Sequence, residues 1–317
     1  MDTNSKNTIS RGHFLRTAGF LTAGVLLAPR ELFAGESPVI AIKREAATTP
    51  ITVQTLRSNI RVFQGSGGNI CVFNGPEGKL MIDAGIAVSK SKIKKALSDI
   101  GNEPLKYLIN THWHFDHADG NAWVHEAGAT IIAHRQTRKN LATTIRVVDW
   151  DYTFKPAPAG ALPTVLFDNE HTMRFNGSEI YMKHYQPAHT NCDISVYIPN
   201  SDVLHVGDTW WNPYYPFIDH NSGGSIDGMI NACERNIKIT TDKTIIIPGH
   251  GTVGNRQELI QFRDMLVTVR DNVSKLKSAG RSLSETVAAK PTAAFDQKWG
   301  KFVLDGAFFT KLVYADV

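Results

Sequence analysis

The chain has 317 residues, 42% hydrophobic and 20% charged, with a formal net charge of +4 at pH 7, which is ordinary for a soluble globular fold. Its first 34 residues carry four basic and two acidic groups, so the remainder is close to +2, without a long lysine or arginine run, and leaves no electrostatic footprint for nucleic acid. Three cysteines (Cys71, Cys192, Cys233) are too few for a disulfide scaffold and show no paired C-x-x-C metal spacing, and no repeat or low-complexity segment is present.

Residues 1 to 34 have the layout of a targeting segment. A net-positive start (Lys6, Arg11, Arg16) leads into a small, apolar stretch from Thr17 to Ala28, then Pro29 and the small pair Ala34-Gly35 where cleavage is expected. The stretch is short for a bilayer span, so the expectation is a periplasmic or secreted protein with no membrane anchor after cleavage. Ser10-Arg11-Gly12-His13-Phe14-Leu15-Arg16 resembles a twin-arginine export motif but has Gly12 where the second arginine belongs, which leaves the export route open.

Residues 37 to 50 read as a loop. Short β patterns follow at Ile51 to Leu56, Ile60 to Phe63, Asn69 to Phe73 and Lys79 to Ile82, with turns at Gly65-Ser66-Gly67-Gly68 and Asn74-Gly75-Pro76. Ala87 to Leu97 has helical spacing with a basic, solvated face. Tyr107-Leu108-Ile109 reads as a buried strand, Gly120 to Glu126 as a helix, Ala129 to Ala133 as a strand and Arg135 to Leu141 as a helix. The proline-interrupted stretch 143 to 170 is irregular and a candidate substrate-facing loop. A second β-rich block spans His171 to Phe175, Glu179 to Tyr185, Ile194 to Ile198 and Val203 to Val206. Residues 255 to 276 form an amphipathic helix with Leu259, Phe262, Leu266 and Val269 at helical spacing, and Ser282 to Ala288 and Phe302 to Val313 read as further helix. The two β-rich halves suggest two sheets packed face to face with helices outside, and the tail from 256 to 317 is expected to pack on that same domain.

Chemistry concentrates after the strand at 107 to 109, in Thr111-His112-Trp113-His114-Phe115-Asp116-His117. Side chains two apart in extended backbone share a face, so His112 and His114 can converge on one ion. Asp116 and His117, past the turn, are free to face a second. Imidazole and carboxylate are the ligands expected for zinc when sulfur is absent. His189, Asp208 and His250 each stand beside a proline or glycine turn signal, in Gln186-Pro187-Ala188-His189-Thr190, Gly207-Asp208-Thr209 and Pro248-Gly249-His250-Gly251. The other histidines (His125, His134, His171, His184, His205, His220) lack this context and are expected on the surface or in the core. Cys192 is expected to be a small packed residue.

The order H-x-H-x-D-H, His, Asp, His resembles the metallo-β-lactamase superfamily over residues 50 to 255. The resemblance implies an αββα sandwich of two mixed β-sheets flanked by helices. It assigns His112, His114 and His189 to one zinc ion and Asp116, His117 and His250 to a second. Asp208 would bridge the pair, as in glyoxalase II-like members, and iron or manganese is the less expected metal. A hydroxide between the ions would attack the carbonyl of a small-molecule substrate, a lactone, ester, thioester or β-lactam, with Asp116 also orienting the nucleophile. Asp83, after Leu80-Met81-Ile82, would orient a metal-bound histidine; a cap or turn role is the alternative. The β-lactamases of the largest subclass carry Cys where this chain has Asp208, which weakens antibiotic hydrolysis as the main activity. Phosphodiester hydrolysis and di-iron redox chemistry are the other readings, although redox members commonly carry Glu in place of His114. Trp210, Trp211, Tyr214 and Tyr215, directly after Asp208, are candidates for the pocket mouth, whereas Trp113 reads as well as core.

Overall fold

In the computed structural model, residues 36–317 are described; the expected targeting segment lies outside them. The chain enters through helix α1 (Pro38–Thr48), then builds β1 (Thr52–Thr55), β2 (Ile60–Gln64), β3 (Ile70–Gly75) and β4 (Gly78–Ile82). Helix α2 (Lys90–Asp99) crosses over to β5 (Leu105–Ile109), and α3 (Phe115–Ala118) and α4 (Asn121–Glu126) lead to β6 (Thr130–His134) and α5 (Arg135–Leu141). A small hairpin of β7 (Ile145–Val147) and β8 (Tyr152–Phe154) precedes β9 (Val165–Phe167). These strands form a seven-stranded sheet of order β1-β2-β3-β4-β5-β6-β9. It is antiparallel up to β4 and parallel beyond.

The second sheet takes β10 (Glu170–Phe175), β11 (Ser178–His184), β12 (Ile194–Ile198) and β13 (Val203–His205). The short β14 (Trp211–Asn212) and helix α6 (Ile226–Ile239) follow, and β15 (Ile245–Ile247) then returns parallel to β13. Strand β16 (His250–Gly251) pairs with β14. Helices α7 (Arg256–Ser278), α8 (Leu283–Ala288), α9 (Asp296–Trp299) and α10 (Gly306–Asp316) complete the chain.

Period-two alternation sorts the strand residues into layers. Cys71, Phe73, Leu80 and Ile82 of the first sheet face Met182, Val196, Ile198 and Ile247 of the second in one apolar cluster. The alternate residues Ile70, Val72 and Met81 turn outward onto Ile93 of α2 and Val124 of α4. Leu204, Val206 and Ile246 turn outward on the other side, onto Met229 of α6, Phe262 and Leu266 of α7, and Phe309 of α10. Each sheet therefore has one face on its partner and one on helices, the four-layer αββα arrangement.

Two local expectations differ from what is observed, and one helix had none. Residues 38 to 48 are helix, not loop: Pro38 sits at the first turn, the Ser37 hydroxyl accepts a hydrogen bond from Val39 N at 3.3 Å, and Val39 and Ala46 are buried on one face about two turns apart. The last helix begins at Gly306 rather than 302, where the Asp305 carboxylate accepts from Phe308 N at 2.8 Å; residues 302–304 stay irregular. Helix α6 had no sequence expectation. Its start is fixed by the Ser225 hydroxyl accepting from Gly228 N at 3.0 Å, and its buried face carries Gly228 and Asn236 among Met229, Ala232 and Cys233. The stretch 143–170 does contain structure, the β7–β8 hairpin, and it brings Trp150 to the site rim.

Among the described residues, no helix is long and apolar enough to cross a membrane. Phe262 of α7 is fully buried, with its ring centroid 5.6 Å from that of Trp299. Phe262→Ala is expected to destabilise the whole fold by about 3–5 kcal/mol, read as one lowered urea midpoint shared by circular dichroism and tryptophan fluorescence. Two separated transitions would show that the C-terminal helices form an independent unit.

Candidate metal centre

The strands β5, β13 and β15 end at one rim, and each hands its chain to a polar turn there. Beyond Ile109 the chain bends at Thr111 and His112 and reaches His114, which is extended and occupies the N-terminal flank of α3; the first turn of α3 carries Asp116 and His117. His189 lies on the loop entering β12, Asp208 follows β13 and His250 follows β15. Close approach dictates two glycines in this rim. A Cβ on Gly249 would meet Asp208 Oδ1 at 1.8 Å, and one on Gly68 would meet the His117 ring at 2.2 Å.

The seven expected residues come together as two buried groups, His112, His114, His189 and Asp208, and Asp116, His117 and His250, with the donor atoms of each group within 4.8 Å of one another. Asp208 stands between the groups. Its Oδ2 is 3.3 Å from His189 Nε2 and 3.3 Å from His250 Nε2, and its Oδ1 is 3.0 Å from His117 Nε2. Asp116 Oδ2 lies 3.2 Å from His250 Nε2.

What each ring does with its outward nitrogen is the informative part. His117 Nδ1 donates to Asp83 Oδ2 at 2.7 Å, and His114 Nε2 donates to Asp219 Oδ2 at 2.9 Å. His189 Nδ1 donates to the Phe217 carbonyl at 2.7 Å. The Thr111 hydroxyl donates to Asp83 Oδ2 at 2.7 Å and so accepts from His112 Nδ1 at 3.0 Å. Four imidazoles thus have one nitrogen committed as a donor to the protein, which leaves the inward nitrogen of each neutral ring as a lone pair. Two of these, His114 Nδ1 and His189 Nε2, are only 2.8 Å apart. His112 Nε2 and Asp208 Oδ1 are buried with no hydrogen-bond partner. Lone pairs and carboxylate oxygens converging without donors are repulsive unless a cation sits among them. The donor set, imidazole and carboxylate, fits zinc or a similar transition metal.

Protonation in the metal-free protein follows the same field. Burial, together with the neighbouring imidazoles, pushes His112 well below the ordinary imidazole range. Burial would lower His117 and His250 as well, but Asp208 and Asp116 overcome it, with Asp83 adding to their pull on His117. His117 is raised well above the usual value and His250 is pushed up to about 9. Protons on these two rings stand in for missing positive charge.

Asp83 is the expected support and also makes the local turn, at φ +64°, with its Oδ1 accepting from Thr111 N at 2.7 Å. Asp219, which supports His114, was absent from the sequence expectations. The available signal was an acid directly after the apolar run Tyr215-Pro216-Phe217-Ile218, the pattern that marks Asp83. His205 is buried nearby yet engaged by backbone on both sides: Nδ1 accepts from Gly207 N at 3.1 Å and Nε2 donates to Asn69 O at 3.3 Å. His184 stacks on His134 at 3.8 Å, and Cys192 is a buried free thiol.

A cavity of about 520 Å³ opens onto His114, Asp116, Asp208 and His250. Of the four aromatic candidates for its mouth, Trp211 and Tyr214 line it and Trp210 and Tyr215 do not. Trp210 is fully buried in the helix-side core. Tyr215 points to the C-terminal segment, stacking on Phe309 at 4.7 Å and donating to Asp296 Oδ1 at 2.9 Å. The backbone turns here, Tyr214 N donating to the Trp211 carbonyl at 3.1 Å, and this brings Trp211 and Tyr214 together against Phe302 at the mouth. Trp113 is core, its indole donating to Ser222 Oγ at 3.1 Å.

Comparison with known proteins gives the same picture. The family model described as the metallo-beta-lactamase superfamily matches residues 64–250. A metallo-beta-lactamase type 2 of Bacillus sp. (strain 170) is 23% identical over 72% of this chain and 86% of its own length. A linear primary-alkylsulfatase of Pseudomonas sp. (strain ATCC 19151) is 21% identical over 68% of this chain and 48% of its own. The solved structure of a stereoselective inverting sec-alkylsulfatase from Pseudomonas sp. superposes with a TM-score of 0.65 at 16% identity, over 86% of this chain and 51% of that one. The chain thus spans about half the length of the alkylsulfatases it matches. Since the family model takes in more than half of the 317 residues and ends on His250, the chain belongs to the metallo-beta-lactamase superfamily.

Proposed function

We propose that this chain is a metal-dependent hydrolase that holds two zinc ions and opens the carbonyl of a small ester, lactone, thioester or β-lactam. The observation that carries the reading is the convergence of buried imidazole nitrogens and carboxylate oxygens around Asp208, with His114, His117 and His189 each fixed from behind by an acceptor. His112, His114 and His189 would hold one ion, Asp116, His117 and His250 the other, and Asp208 would touch both. When bound, the ions supply Lewis acidity and bring a coordinated water's pKa from 15.7 down to about 7. Asp83 and Asp219 keep His117 and His114 in the tautomers that present a lone pair. Asp116, at the cavity floor, is placed to orient the attacking water. Trp211 and Phe302, which flank His250 at ring distances of 4.3 and 6.0 Å, exclude bulk solvent from that side. The exported location belongs to this proposal and rests on the pattern of residues 1 to 34.

Among the described residues lining the cavity no lysine or arginine occurs, and the charged carboxyl groups there are Glu45, Asp116 and Asp208. That favours an uncharged electrophile over a phosphodiester, whose binding calls for basic contacts. His at position 114, rather than Glu, speaks for zinc over di-iron redox chemistry. A second reading is sulfate-ester cleavage, favoured by the reach of the alkylsulfatase superposition, which at 86% of the chain extends beyond the family-matched segment. Fold likeness by itself does not choose the substrate. A panel of nitrocefin, a homoserine lactone, an acyl thioester, a p-nitrophenyl ester, an alkyl sulfate and a phosphodiester, run with and without chelator, decides between them. Turnover of the phosphodiester alone would overturn the carbonyl reading.

On whichever substrate responds, His114→Ala is expected to lower kcat/KM by at least about 100-fold, because loss of one ligand removes electrostatic stabilisation at the reacting centre. Asp208→Ala is expected to lower bound zinc from two per chain, measured by mass spectrometry of the purified protein. An unchanged stoichiometry would show that Asp208 does not link the ions. Loading also carries a pH signature. His250 is protonated below about 9 in the metal-free protein and must be neutral to bind. Zinc binding at pH 7.5 is therefore expected to release protons, and the release to fade as pH rises through about 9, measured by calorimetry in buffers of different ionisation enthalpy.

A further inference from the structure

We propose that the cavity over the metal centre is a chain-binding slot, and that the substrate carries a long, unbranched apolar chain joined to an uncharged scissile head. The head follows from the hydrolase reading, whereas the chain rests on the cavity alone. One wall is helix α1, whose Pro38, Val39, Ile42 and Ala46 border the space, with Thr49 just past its end. At about 1.5 Å per residue, the run from Pro38 to Ala46 carries the lining roughly 12 Å along the helix. An apolar helical stripe normally closes onto a core. Here Ile42 is only partly buried, and the rest of the stripe joins a small separate cluster with Ile86 and Phe115.

The ends of the slot are aromatic. Trp150 sits beside His114 at 4.8 Å and Phe217 at 4.6 Å, and the Ser37 hydroxyl donates to the Trp150 carbonyl at 2.6 Å, joining helix and hairpin. Opposite, Phe302 stacks on Tyr214 at 4.4 Å over His250. Two of the polar side chains between are already engaged: Gln64 Nε2 donates to Gly251 O at 2.8 Å and Asn69 Nδ2 to Pro248 O at 2.9 Å. A polar substituent lying against Gln64 or Asn69 would lose its water for no new partner, which costs more than a methylene gains. Glu45, raised above the usual carboxyl range by burial, would oppose an anionic group on the same wall.

The test measures binding of straight-chain 1-alkanols, 1-butanol to 1-dodecanol, to the zinc-loaded full chain by calorimetry, alongside quenching of the fluorescence of the cavity tryptophans. Each added methylene is expected to tighten binding about fourfold, from about 0.8 kcal/mol per buried methylene, until the slot is full. Ile42→Glu is expected to weaken the longer alkanols at least tenfold and leave 1-butanol unchanged. Ile40→Glu, on the outer face of the same helix at 47% exposure, is expected to change neither. Should Ile42→Glu not fold, Ile42→Trp keeps the test, because it shortens the longest chain that still gains affinity. The p-nitrophenyl esters from acetate to dodecanoate, assayed in parallel, separate the two readings. Rising alkanol affinity without ester turnover supports the slot and overturns the carbonyl reading. Affinity independent of chain length, or lost equally in Ile40→Glu, overturns the slot.

Discussion

The structure depends on one electrostatic constraint: several buried imidazoles and carboxylates are aimed at one another with their lone pairs inward. Burial of so many titratable groups is costly, and mutual hydrogen bonding cannot relieve it while Asp83, Asp219, Thr111 and the Phe217 carbonyl hold the outward nitrogens. Positive charge has to come from protons or from metal. Everything around the rim keeps that arrangement from relaxing, including the glycines that permit Gly249 and Gly68 to press against Asp208 and His117.

The layering explains why such a constraint is tolerated. The rim is not part of the apolar packing: the inter-sheet cluster stops at Ile109 and Ile247, and the polar turns begin where those strands end. Loops at strand ends carry the costly groups, and the sandwich beneath supplies the stability that offsets them. The helix-side core, which runs through α6, α7 and α10, also fixes Phe217 and Ile218, so the backbone leading into Asp219, the partner of His114, is anchored from below.

Much of this was legible in the residues alone, because strands announce themselves by alternation and the ligands by spacing. His112 and His114 two apart after an apolar run, and Asp208 and His250 beside glycine, carry their own geometric meaning. What escaped had a weaker local signal. Helix α1 is short and of mixed polarity, and only its packing over the cavity reveals which face matters. Helix α6 carries Gly228, a weak helix former, in its first turn. Asp219 is distant in sequence from His114, and no local pattern couples the two. Trp210 and Tyr215 stand next to Trp211 and Tyr214 in sequence, but the turn that joins Trp211 to Tyr214 leaves them in the core.

Helix α1 and residues 302–304 both lie outside the segment that matches the family model, 64–250, whereas all seven inward-facing residues lie within it. Trp150, Trp211, Tyr214 and Phe217, which also line the cavity, share the matched segment with the rim, so only one wall of the space is encoded apart from it. Substitutions in the two outer segments alter that wall and leave the seven-residue rim as it stands.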